Sequence, residues 1–90
     1  MVDMSDETTE WAARLVDELA SGELIDLDED VPRDTLLKGI GKLLAKVGDR
    51  AKADTDVANQ LAEDLAEVDG VAELFVTAED LQKVLAKTDV

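Results

Sequence analysis

The chain has 90 residues, nine Lys and Arg against 23 Asp and Glu, a formal net charge of −14, and no Cys, His or Tyr. That length allows one domain. The missing residue types exclude disulfides, thiolate metal sites, thiol catalysis and histidine acid–base chemistry.

Residues 6–20 read as a first helix. Trp11, Leu15 and Leu19 recur at i, i+4 and i+8, and with Ala12 and Val16 they fill one arc of about 140°. Ser5, Asp6 and Glu7 give it an acidic start, Gly22 is a helix stop, and residues 1–5 are expected to fray. Residues 21–31 read as a loop that tucks Leu24, Ile25 and Leu27 against the core, with a short strand as the weaker alternative. Pro32 or Arg33 opens helix two, which ends at Gly48 or runs on to Ala53. Its Leu36, Leu37, Ile40, Leu43, Leu44, Val47 and Ala51 share about 120° of arc. Gly39, Gly41 and Gly48 each weaken this helix by up to about 1 kcal/mol relative to alanine, and they also let a neighbouring helix come close.

Asp54 to Asp56 cap helix three, about 55–69, whose inner face carries Val57, Leu61, Leu65 and Val68 and which stops at Asp69-Gly70. Residues 71–76 fit a helical turn or a short strand equally. Thr77 is an N-cap for helix four, about 78–87, which buries Leu81, Val84 and Leu85. No internal repeat is present. The expected fold is all-α, a single compact bundle of four amphipathic helices.

A 90-residue chain buries roughly 60–65% of its unfolded surface, so the core is thin. It rests on 13 Leu and 10 Val, with Trp11 and Phe75 as the only aromatics. Trp11, at helical spacing with Leu15, reads as a core anchor. If Trp11 or Phe75 projected outward, a homodimer or a hetero-complex would be expected. Asp outnumbers Glu by 14 to 9 and Ile is scarce, a balance that resembles salt-adapted proteins, in which counter-ions screen the carboxylates.

The charge is unevenly placed. Residues 33–52 hold six cations and two acids, a net of +4, and the other 70 residues hold a net of −18. Lys38, Lys42, Lys46 and Arg50 stand four apart and form a ridge that drifts slowly around helix two. They either neutralise acidic faces of helices one and three or form a docking strip for a negatively charged partner. Leu36 to Val47 in isolation would also suit a membrane surface, but a chain of −14 is repelled by anionic lipid. Duplex DNA binding is disfavoured too, because helix three carries Asp56, Glu63, Asp64 and Glu67 where a groove-reading helix needs cations.

Asp26, Asp28, Asp30 and Asp34 take positions 1, 3, 5 and 9 of a calcium loop. However, Val31 stands where that loop needs glycine and Leu37 where it needs glutamate, so no metal site is expected. Gly39-Ile40-Gly41-Lys42 lies inside a helical pattern and is no phosphate loop. The only serines, Ser5 in Met-Ser-Asp and Ser21 in Ala-Ser-Gly, lack the Asp-Ser-Leu context that carries the prosthetic group of acyl carrier proteins. The chain resembles that family in size and charge alone, and no cofactor or catalytic residue is expected. With no membrane-length apolar run and no signal-peptide pattern, a cytoplasmic place is expected.

The expected function is that of a non-catalytic protein-interaction module. Its candidate contacts are Lys38, Lys42, Lys46 and Arg50 with the adjoining Asp26, Asp28 and Asp30. The alternative is a nucleic-acid mimic that occupies a DNA- or RNA-binding protein through Glu10, Asp17, Glu18, Glu63, Asp64 and Glu67.

Overall fold

The apolar stripe through Trp11, Leu15 and Leu19 forms one side of a helix, α1, which spans Met4–Ser21. The structure is a computed structural model that describes residues 4–88. Of the five residues expected to fray, residues 1–3 lie outside the described residues. α1 ends in paired backbone bonds in which Leu24 N–H donates to the Leu19 carbonyl at 2.8 Å and Glu23 N–H to the Ala20 carbonyl at 3.1 Å. This arrangement requires a left-handed residue just past the helix. Gly22 is not that residue: the left-handed position falls on Glu23, at φ 58°. A side chain with a Cβ is disfavoured there, and its negative charge faces the negative end of the helix dipole.

α2 is one continuous helical run built from an α-segment Arg33–Leu43, a π-turn Leu44–Gly48 and a second α-segment Asp49–Ala53. It therefore takes the longer of the two expected lengths. The i→i+5 turn is wider than an α-turn, and it changes which residues face inward. Leu43 and Val47, expected inside, are only half-buried, whereas Gly41 and Gly48 are buried. Gly41 lies against Thr8, and Gly48 lies against Trp11. Its indole carbons Cη2 and Cζ3 lie 2.7 and 2.8 Å from the point a Cβ on Gly48 would occupy, so only a glycine fits beneath the ring. The indole Nε1 donates to Thr88 Oγ1 at 3.2 Å, and that hydroxyl donates to the Val84 carbonyl at 2.7 Å. The Lys52 ammonium sits 5.4 Å from the ring centroid, within cation–π range.

α3, Thr55–Ala66, is capped by the Asp54 carboxylate, which accepts from the backbone N–H groups of Asp56 and Val57. It is shorter than expected, because Glu67 N–H turns back to the Asp64 carbonyl and Val68 N–H to the Leu65 carbonyl in tighter i→i+3 bonds. α4, Ala78–Thr88, has the expected Thr77 cap, whose Oγ1 accepts from Asp80 N–H at 3.2 Å. Gln82 Nε2 ties α4 to the Ala51 carbonyl at 3.1 Å, satisfying an otherwise open carbonyl at the end of α2.

The all-α expectation needs correction. β1, Ile25–Leu27, and β2, Val71–Leu74, pair antiparallel, with Ile25 opposite Leu74, Asp26 opposite Glu73 and Leu27 opposite Val71. A bulge leaves Ala72 as the extra residue. Both fall where a short strand stood as an alternative, in 21–31 and in 71–76, and the pairing across more than 40 residues together with core packing fixes them. Gly70, at φ +104°, turns the chain into β2, and its carbonyl accepts from Asp28 N–H at 2.8 Å. Ile25 is buried and Leu24 and Leu27 pack on the core, as expected of this stretch. All four helices supply core residues, and Leu15, Leu19, Ile40, Leu61, Leu65, Leu81 and Leu85 are almost wholly buried. The radius of gyration, 11.8 Å, agrees with the about 12 Å of a folded domain of this length.

Two stability tests follow from these contacts. Glu23→Gly relieves the left-handed strain and should stabilise the domain by about 1 kcal/mol, a rise of about 4–8 °C in Tm by calorimetry. Gly41 and Gly48 should part company in urea unfolding. The nearest atoms to a Cβ on Gly41 are 3.6 Å away, so Gly41→Ala is neutral or stabilising by up to about 1 kcal/mol. Gly48→Ala collides with the indole and should lose about 1–3 kcal/mol.

Candidate functional site

Lys38, Lys42, Lys46 and Arg50 are all exposed along one side of α2. In an unbroken α-helix, residues four apart drift by about 40° at each step. The π-turn advances each residue by a smaller angle and takes back most of that drift over Lys42, Lys46 and Arg50. The ridge is thus straighter than the sequence spacing alone implies. From Lys38 to Arg50 it covers 12 helical steps, about 18 Å along the helix.

None of these four cations makes an ion pair among the described residues. The cations that do pair are others. Arg14 bonds Glu10 at 3.0 Å, Arg33 bonds Asp17 at 3.1 Å, Lys87 bonds Glu18 at 3.2 Å and Lys52 bonds Asp49 at 3.3 Å. Arg33, through Asp17, carries out the expected neutralisation of helix one by helix two, and it stands at the edge of the ridge. These pairs are largely solvent-exposed and each contributes at most about 1 kcal/mol. The acids proposed as a phosphate imitation divide accordingly: Glu10, Asp17 and Glu18 on α1 each have a cation at hand. On α3, Asp64 accepts from Gln60 Nε2 at 3.3 Å, Glu63 is exposed, and Glu67 is exposed at the helix end.

Asp26 lies on β1 facing Glu73, while Asp28 and Asp30 lie in the turn before α2, where Asp28 Oδ1 accepts from Asp30 N–H at 2.9 Å. Among the described residues, no three or more acidic side chains converge as cation ligands would. Phe75, 54% exposed, is the single exposed large hydrophobic among the described residues, whereas Trp11 is buried. One ring does not form a contiguous apolar patch.

The structure adds a feature that linear spacing cannot show. The turn after α3 carries Val68 and Asp69 against the first half of the ridge, and a shallow groove of about 330 Å³ opens between Thr35, Lys38, Gly39, Lys42, Val68 and Asp69. Val68 Cγ1 lies 2.8 Å from where a Gly39 Cβ would stand, so the glycine sets how closely this turn approaches α2. The only sequence signal was Gly39 itself, a small residue inside a helix with no visible partner. Among the described residues no helix is long and apolar enough to cross a membrane. No protein family, curated protein or solved structure matches the chain.

The Asp26–Glu73 pair yields a prediction about charge. Like charges directly opposed across strands are destabilising, so Glu73→Lys should raise stability by about 0.5–1 kcal/mol at low salt. The gain should shrink as salt screens both the repulsion and the new attraction, as read from thermal unfolding across a sodium chloride series.

Proposed function

We propose that this protein is a non-catalytic interaction module that docks a negatively charged partner on the α2 ridge. The observation that carries this reading is the unpaired state of Lys38, Lys42, Lys46 and Arg50 in a chain with 23 carboxylates. Four cations surrounded by that excess would be neutralised internally if their purpose were structural. Instead the acids of α1 draw on Arg14, Arg33 and Lys87. The same pairing weighs against phosphate mimicry as the main role, because the α1 half of that surface is charge-compensated. Asp26, Asp28 and Asp30 border the start of α2 and belong to the rim of the contact. A salt-rich, cytoplasmic setting fits the facing Asp26 and Glu73 carboxylates, which counter-ions would relieve.

The double variant Lys42→Glu/Lys46→Glu should retain the helical circular-dichroism spectrum and the unfolding transition of the parent. It should lose the salt-sensitive partner that the unaltered chain captures from extracts of its own cells. Capture that persists in the variant would overturn the reading. So would a variant that unfolds, since the ridge would then be structural.

A further inference from the structure

We infer that the ridge selects a helical protein segment with an acidic centre and neutral or basic ends, and discriminates against continuous polyanions. This rests on the docking reading above and specifies its partner.

The cations occupy a bounded stretch. Before it stand Asp30, in the turn leading into α2, and Asp34 in the first turn. Beyond it, Asp54 and Asp56 stand where α2 hands over to α3. Along the chain the pattern reads negative, positive, negative, with about 18 Å of positive ridge between the acidic borders. Within it Asp49 bonds Lys52 at 3.3 Å, and Asp69 stands beside Lys38 and Lys42. A nucleic-acid strand or a polyglutamate tract long enough to cover the ridge runs into carboxylates at both ends, and like charges brought together across a contact are costly. A segment that is negative only in its middle sets its carboxylates against the four cations and its ends against the acidic borders.

Two features favour a helix as the form of that segment. Carboxylates four apart on a helix repeat every about 6 Å, the same repeat as the ridge. In addition, the groove beside Lys38 and Lys42 has Val68 and Gly39 in its lining. It can receive one aliphatic side chain projecting from the bound helix, a contact that high salt does not screen.

The test uses the full ¹⁵N-labelled chain and three alanine-rich helical peptides of equal length. One has four glutamates spaced four apart between lysine-bearing ends, one has glutamate throughout, and one has lysine at the centre and glutamate at the ends. Oligothymidylate is the fourth probe. The first peptide should shift the amides of residues 38–50 and bind at least about tenfold tighter than the all-glutamate peptide or oligothymidylate. The reversed peptide should leave those amides unmoved. Asp34→Asn with Asp56→Asn should narrow the preference over the all-glutamate peptide to within about threefold. All-glutamate peptide or oligothymidylate binding α2 as tightly as the first peptide would overturn the selection by the ends while leaving the docking strip in place. If no anionic probe moves the α2 amides, both the selection and the docking reading fall.

Discussion

The Trp11 indole rests on Gly48 with no space for a methyl group between them, and much of the domain is organised around that contact. The ring belongs to α1, the glycine to the π-turn of α2, and the hydroxyl that receives the indole N–H to the last residue of α4. Three of the four helices therefore meet on one side chain. In a chain with a thin core and a charge of −14, such a junction matters more than it would in a larger protein, because few other large side chains share the work. Lys52 over the same ring and Gln82 on the Ala51 carbonyl hold the far end of α2 against the junction.

The π-turn has consequences on both sides of the helix. Inward, it carries Val47 to the flank and brings Gly48 under the indole. Outward, it lines up Lys42, Lys46 and Arg50. A single irregularity thus links the packing of the core to the shape of the cationic surface. Glycine closes the wide turn, and the tryptophan ring packs directly on its inner side.

Electrostatics divides the molecule in a similar way. Acidic side chains outnumber basic ones 23 to 9, two of the carboxylates stand opposite one another in the small sheet, and a compact body with this excess repels itself. The +4 stretch of residues 33–52 does little to relieve that repulsion through direct pairs, since four of its six cations are unpaired among the described residues. Its attraction is directed outward, which is why a surface role accounts for it better than a structural one.

The sequence by itself determined the four amphipathic helices, their inner leucines, the caps at Asp54 and Thr77 and the existence of a cationic row, because helical periodicity, capping and charge spacing are local and repeat within a few residues. Several features were decided only by tertiary structure. The strands at Ile25–Leu27 and Val71–Leu74 exist through each other, across a separation that no local pattern spans. The left-handed residue fell on Glu23 and not on Gly22 because the bonds from Leu24 and Glu23 set where α1 closes. The π-turn rests on a tryptophan more than 30 residues earlier. The groove of Val68 and Asp69 beside Lys38 and Lys42 formed only when the α3 turn came to rest on Gly39. Each of these depends on contacts between distant segments, whose geometry is set by packing and leaves no period in the chain.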